Sequence, residues 1–478
     1  MTTLPRQRDR DSGLIANARP GRRTVWRMTA DLAAAIDRVM PSVRADLDDL
    51  VRIRSISADP ARVADVRAAA AATAALFEAE GFDVSIVSAS ADGVQGAPAV
   101  IARKPAPEGR PTVLLYAHHD VQPTGDEKLW TSPPFEPTER HGRLYARGAA
   151  DDKAGIAAHL ATIRAFGNDL PVGVTVFVEG EEEIGSPTIK QLLAEHRDAL
   201  AADAIVIADS TNWTIGQPAL STSLRGLVNC VVEVRTLEHA VHSGMYGGAA
   251  PDALTTLCRL LATLHTAVGD VAVDGLHAGR AADLDYPDAR FREEAGVPHG
   301  VKLIGSGSLP DRIWTRPSIS VIAIDAPSVA DASNTLIPVA RAKVSMRVAP
   351  GDDAEKAKDA LVAHLQDNVE WGASVQVGEF EVGQPFAVNP NGPSYDAARN
   401  AFATAWGVQP VDIGIGGSIP FIAEFADAFP EAAILVTGIE DPDTRAHGID
   451  EGLHLAEFTK ACVAEAELLR NLSAAPPA

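Results

Sequence analysis

Four short apolar runs, at 112–117, 172–178, 204–208 and 433–436, constrain this chain more than any other feature. Runs of Val, Ile, Leu and Ala with no polar face fit strands buried on both sides. Helix-patterned stretches at 153–166 and 188–195 separate them, which is the pattern of an α/β sheet. Runs at 84–87 and 99–102 and helix patterns at 31–53 (interrupted at Pro41), 62–80 (stopped by Gly81) and 455–472 extend the same layer. After Ser221 the texture changes. Alternating strand-like segments at 226–236, 318–324, 340–348 and 374–382, with helix patterns at 251–268 and 353–367, follow in β-α-β-β-α-β order, a ferredoxin-like layer. A Gly/Pro-rich stretch occupies 269–317, and from 395 the α/β texture resumes with a helix to 406 and a Gly-rich turn. The expected fold is a mixed-sheet α/β unit, 29–218 plus 384–475, interrupted by an α+β unit at 219–383. Residues 1–28 are expected to be a disordered basic tail, with Met28 as an alternative translation start.

Each of the four runs leads into polar residues. They end in His118-His119-Asp120, in Glu179-Gly180-Glu181-Glu182-Glu183, in Asp209, and, through a Gly-rich loop, in His447. Ligands of open parallel sheets collect outside the carboxyl ends of the strands, so these side chains are expected to share one crevice. Imidazole and carboxylate donors without thiolate suit zinc, manganese or cobalt. Asp151, in a turn that enters a helix, adds a carboxylate able to bridge two cations about 3.5–4 Å apart.

Lys+Arg 42 against Asp+Glu 64 gives a net charge of −22, which argues against nucleic acid or an anionic membrane as partner. No apolar run reaches the roughly 18 residues of a spanning helix. The cysteines, Cys230, Cys258 and Cys462, are far apart and form no CxxC pair, so they are expected in the core of a cytoplasmic protein.

The motifs His118-x-Asp120-Val121-Gln122-Pro123, Gly148-x-x-Asp151-Asp152-Lys153, Glu182-Glu183-x-Gly185-Ser186 and Ala446-His447-x-x-Asp450-Glu451 resemble those of the M20 family of dinuclear metallopeptidases. Trp130-Thr131-Ser132-Pro133-Pro134-Phe135 and Gly416-Gly417-Ser418-Ile419-Pro420 point to its carnosinase-like dipeptidase branch, and the resemblance runs from about residue 45 to the last helix. It implies two divalent ions, zinc foremost, one held by His118, Asp151 and Asp209 and the other by Asp151, Glu183 and His447. Asp120 would fix the His118 tautomer, and Glu182 would be the general base. His242, in the inserted unit, matches an oxyanion-stabilising histidine that relatives supply across a homodimer. Arg347 matches the arginine that binds the substrate's C-terminal carboxylate, with Thr335, Ser418 and Gly417 as helpers. The 29–218 plus 384–475 unit would then be catalytic and metal-binding, and 219–383 a lid and dimerisation domain.

Two positions depart from the carnosinase-like pattern: Ile415 stands where an acidic residue is usual, and His119 where tyrosine is typical. The expected reaction is hydrolysis of the amide bond of dipeptides or short peptides with a free C-terminal carboxylate. An N-acyl amino acid deacylase or desuccinylase keeps the chemistry and changes the substrate, and an inactive metal-stabilised binding protein would have lost Glu182 or a ligand. His141, His159, His196, His299 and His454 read as solvated loop side chains, His119 as packing, and Asp152 as a charge at a helix start.

Overall fold

The structure, a computed structural model, describes residues 22–281, 283–417 and 420–474. Residues 1–21 of the expected tail lie outside that range. The first helix, Arg22–Val51, reaches back into the rest of it, in keeping with the helix propensity of Arg and Met. It also continues through Pro41. The carbonyl that Pro41 leaves without a donor belongs to Asp37, which is exposed, so water can satisfy it.

Along the chain come strands β1 (Asp83–Val87), β2 (Ala99–Lys104), β3 (Thr112–His118), β4 (Gly173–Glu179), β5 (Ala204–Ile207) and β6 (Ala219–Leu224). Then follow β7 (Gly226–Arg235), β8 (Ser318–Asp325), β9 (Val339–Val348) and β10 (Ser374–Gly383), and finally β11 (Phe386–Ala387), β12 (Val411–Ile415) and β13 (Ala433–Thr437). The large sheet has nine strands in the order β1-β2-β4-β3-β5-β13-β6-β11, with β12 paired to β6. Its centre, β4-β3-β5-β13, is parallel, and antiparallel pairs flank it. The four apolar runs are therefore neighbours, and their carboxyl ends sit side by side about 4.8 Å apart. Every residue of β4 and β5 is buried, as both-face burial requires. Helix Lys153–Phe166 packs Ile156, Leu160 and Ile163 on one face of the sheet. Leu192, Phe421 and Phe425 pack on the other.

The second sheet has the order β8-β9-β7-β10 and is antiparallel throughout. Burial alternates strictly along β9. Its inner face packs Val228, Val232 and Val344 against Leu257 and Leu260 of helix Ala253–Ala262 and Leu361 and Leu365 of helix Ala354–Asn368. This is the β-α-β-β-α-β order expected from the sequence.

Several boundaries differ from expectation. β6 pairs with β13, β12 and β11, so the chain crosses between sheets at Arg225 rather than at 219. Its Ser/Thr-rich sequence hides a strand that hydrogen bonds on both sides hold in place. β12 occupies part of the expected Gly-rich turn. Glycine is required at 414, where a Cβ would lie 2.5 Å from the Cβ of Trp314. The helix expected over 251–268 spans Ala253–Ala262, capped by Asp252, which accepts from the N–H groups of Leu254 and Thr255. The chain turns after Thr263, so that Leu264 is buried and His265 bridges to Val271.

His159 overturns its reading as a solvated side chain. It is fully buried in helix Lys153–Phe166, with Nδ1 2.8 Å from Glu465 Oε2 and Nε2 3.0 Å from the Tyr116 carbonyl. Cys230 and Cys462 are core residues, but Cys258 is exposed. Among the described residues no helix is long and apolar enough to cross a membrane.

Candidate metal centre

The crevice at the carboxyl ends of β4, β3, β5 and β13 collects His118, Asp120, Glu182, Glu183 and Asp209. Asp151 arrives from the turn before helix Lys153–Phe166, and His447 from the loop after β13. The two oxygens of Asp151 face different imidazoles: Oδ1 lies 3.1 Å from His118 Nε2 and Oδ2 3.0 Å from His447 Nε2. His447 Nε2 is also 3.2 Å from Glu183 Oε2. On the other side, His118 Nε2 is 3.9 Å from both Glu182 Oε2 and Asp209 Oδ2. Donor atoms of His118, Glu182 and Asp209 lie within 4.8 Å of one another, as do those of His118, Asp151 and Glu183.

Asp120 does two jobs. Its carbonyl is 3.1 Å and its carboxylate 3.4 Å from His118 Nδ1, which leaves Nε2, the nitrogen facing Asp151, available to ligate a cation. Its carboxylate also accepts from the backbone N–H groups of Glu182 and Glu183, at 3.2 and 3.1 Å, so it sets the register of the glutamate pair. Glu181 faces away, accepting from the N–H groups of Ala97 and Thr188 at 2.9 and 2.7 Å. Gln122 fixes Glu183, donating from its backbone N–H and its amide at 3.0 and 2.8 Å. Asp152 accepts from the N–H groups of His118 and Gly155, both at 3.2 Å, the structural role expected of it.

The electrostatics of the cluster favour added positive charge. Burial, with Asp151 and Glu183 adding to it, pushes Asp209 up to about 7, and burial holds Glu182 well above the carboxylate range. Hydrogen bonds to Asp151 and Glu183 push His447 up to about 11. Burial disfavours charge on His118, but Asp120 and Asp151 outweigh it and the pKa rises. Burial acts on Asp151 in the opposite sense, yet both histidines hold it below its usual range. Converging carboxylates whose charge burial penalises are a setting that divalent cations would balance. The donor set fits divalent ions: two imidazoles, carboxylates, no thiolate, and one carboxylate with an oxygen turned to each side.

Sequence reasoning missed three supports. Glu451, quoted in a motif but given no role, is fully buried and paired with Arg147 Nη1 at 2.6 Å. It accepts from the N–H groups of Gly148, Ala150 and Asp151 at 3.1, 3.0 and 3.2 Å, and so shapes the Asp151 turn. Glu440 follows β13, and burial, then Asp151 and Asp209, raise its pKa well above the usual range. The strand-end rule that found Asp209 points to it as well. Asn212 braces the Asp209 loop by donating to the Gly438 carbonyl at 3.0 Å.

The inserted unit contributes differently. His242 is exposed; its Nδ1 accepts from the Gly244 N–H at 3.0 Å, and it pairs in register with Thr335. Among the described residues neither is hydrogen-bonded or ion-paired to the carboxylate cluster. Arg347 lies on β9 opposite Leu227 and Ser318. Gly417 is half-buried in the turn after β12, and Ser418 lies outside the described residues. Of the two departures, His119 packs behind the site, its Nε2 donating to the Pro98 carbonyl at 2.8 Å, while Ile415 packs against the cluster holding Phe421.

A family model described as "Peptidase family M20/M25/M40" matches residues 114–471. The Cysteinylglycine-S-conjugate dipeptidase of Corynebacterium striatum is 37% identical over 386 residues, 79% of this chain and 84% of that protein. The Beta-Ala-His dipeptidase of Rattus norvegicus is 29% identical over 71% of this chain and 73% of its own length. Among solved structures, di-peptidase Dug1p from Saccharomyces cerevisiae and human carnosine dipeptidase 1 each give a TM-score of 0.79 at 23% identity, covering 94% of this chain and 99% of theirs. At that identity the two structures speak for the fold. The match over 114–471 and the bacterial relative speak for descent, and the chain belongs to peptidase family M20/M25/M40.

Proposed function

We propose that this protein is a metal-dependent dipeptidase, hydrolysing the amide bond of dipeptides or short peptides with a free C-terminal carboxylate. The observation that carries the reading is Asp151 held between His118 and His447 with Glu182 beside them. In this reading His118, Asp151 and Asp209 would hold one divalent ion and Asp151, Glu183 and His447 the other, zinc foremost, with manganese or cobalt as substitutes. Bound ions would polarise the scissile carbonyl and acidify the attacking water. Glu182, held through its backbone N–H by Asp120 and with its carboxylate 3.9 Å from His118 Nε2, takes the proton from that water and delivers it to the leaving amine. Asp120 keeps both His118 and the glutamate pair in place.

The unit around the second sheet, from Arg225 to 383, acts in this proposal as lid and dimerisation domain. Edge strand β8 exposes Val321, Ile322 and Ile324, and Met245 and Tyr246 are exposed beside His242. Apolar edges of this kind favour a homodimer, in which His242 serves the other subunit's site. Arg347 receives the substrate carboxylate, with Thr335, Gly417 and Ser418 around it. A dipeptide substrate accords with the names of the relatives and is preferred over an N-acyl amino acid. The cytoplasm is the proposed location, on the cysteine argument.

The test is a hydrolysis screen of dipeptides, their C-terminal amides and N-acyl amino acids with zinc, manganese and cobalt. Free-acid dipeptides are expected to be cleaved, with Arg347→Lys mainly raising KM, because lysine cannot form the bidentate pair. Cleavage of N-acyl amino acids alone would make the protein a deacylase. No cleavage by metal-loaded protein would leave the binding-protein reading.

A further inference from the structure

Arg225 is the residue at which the chain leaves the large sheet: β6 ends at Leu224 and β7 begins at Gly226. The return crossing lies directly against it. A Cβ on Gly226 would meet the Gly383 carbonyl oxygen at 2.6 Å and Pro385 N at 2.7 Å, so the two crossings touch backbone to backbone. Arg225 itself is 9% exposed. Its Nε donates to the Gly416 carbonyl at 3.0 Å, and its Nη1 donates to Ser318 Oγ at 3.0 Å and lies 3.5 Å from the carbonyls of Arg312 and Arg316. Its backbone N–H donates to the Ile415 carbonyl at 3.2 Å. One guanidinium thus ties together the Gly416-Gly417 turn, the helical turn Asp311–Thr315 and the start of β8.

All of these acceptors are carbonyls or a hydroxyl, and no carboxylate among the described residues pairs with Arg225. A buried cation without an anion is costly, and here a second cation stands nearby. Ser318, hydrogen-bonded to Arg225, is the cross-strand partner of Arg347. Burial, and then the charge of Arg347, lower the Arg225 pKa to about 10. A buried guanidinium that feels the charge of Arg347 through the Ser318 register position is set up to gain from an incoming anion.

We propose that Arg225 is a positioning residue for the substrate carboxylate: it holds the Gly416-Gly417 turn, and the carboxylate that reaches Arg347 supplies the counter-charge Arg225 lacks. This rests on the reading of Arg347 as the carboxylate-binding residue. Binding of a free C-terminus then relieves repulsion at the crossing itself. Recognition of the carboxylate and the relative setting of the two sheets become linked.

The experiment uses full-length, metal-loaded protein carrying Arg225→Gln or Arg225→Lys. Kinetics are measured on one dipeptide and its C-terminal amide over a range of salt, with circular dichroism and thermal melts alongside. Arg225→Gln is expected to raise KM for the acid by on the order of tenfold, the scale of one lost charge acting at a distance, and to flatten its salt dependence. KM for the amide should stay within about twofold, because the lost term acts on charge. Arg225→Lys keeps the charge but spans fewer acceptors, so it should retain the acid preference and lower kcat. A folded Arg225→Gln protein with an unchanged acid-to-amide preference overturns the proposal, as does equal loss on both substrates. If Arg225→Gln does not fold, an Arg225→Lys protein matching wild type in both preference and kcat overturns it. Wild-type protein with no acid preference overturns the Arg347 reading and this one together. A wild-type preference that Arg225→Gln retains overturns this one alone.

Discussion

Glu182→Gln should keep its metal and lose turnover by about 10²–10⁴-fold, the range of general acid–base catalysis. The amide is nearly isosteric, and the backbone N–H of residue 182 still donates to Asp120, so the turn keeps its shape. What would disappear is the basic carboxylate proposed to accept the water's proton and pass it to the leaving nitrogen. Glu183→Gln should behave in the opposite way. The Glu183 carboxylate lies 3.2 Å from His447 Nε2 and accepts from Gln122, so its neutralisation removes a ligand charge and weakens metal loading. Metal content and kcat measured on both variants separate the roles. Full metal with little turnover in Glu183→Gln, and lost metal in Glu182→Gln, would shift the assignment by one residue.

His242→Ala is expected to lower kcat by about 10²–10³-fold, the cost of one donor to a developing oxyanion. The carbonyl oxygen of the scissile amide gains charge only as the tetrahedral intermediate forms, so KM should change little. His242 makes no hydrogen bond or ion pair to the carboxylate cluster of its own chain among the described residues, and it is exposed beside Met245 and Tyr246. In the proposed homodimer His242 would reach into the second subunit, and a complementation result is then expected. Mixing inactive His242→Ala with inactive Glu182→Gln chains should restore partial activity, because one site of each heterodimer holds both wild-type groups. If subunits demonstrably exchange and no activity returns, His242 acts within its own chain.

The centre of the fold was readable because β3, β4, β5 and β13 are apolar on both faces, and only a covered parallel sheet accepts such strands. Parallel order makes their polar ends neighbours, so the sequence alone groups His118, Glu183 and Asp209. Elements that depend on tertiary pairing were not readable. β6 is half Ser and Thr, β12 is interrupted by Asp412 and Gly414, and their neighbours in the sheet make them strands. His159 sits at an ordinary position of an Ala-rich helix, and its partner Glu465 is 306 residues away. Glu451 carries no local sign that it will accept three N–H groups from the Asp151 turn. Arg225 is one residue between two strands, and its importance appears only when four separate carbonyls and hydroxyls close around it.

The proposed centre is a cocatalytic pair of ions sharing Asp151, whose two oxygens face two histidines at 3.1 and 3.0 Å. It is tested most directly by titrating metal-free, full-length protein with zinc, manganese or cobalt while recording bound metal and dipeptide turnover together. Turnover should reach its plateau as bound metal approaches two ions per chain, the stoichiometry of a bridged pair, and Asp151→Asn should lower both. Full turnover at a stable single ion per chain, or in excess chelator, would contradict the account.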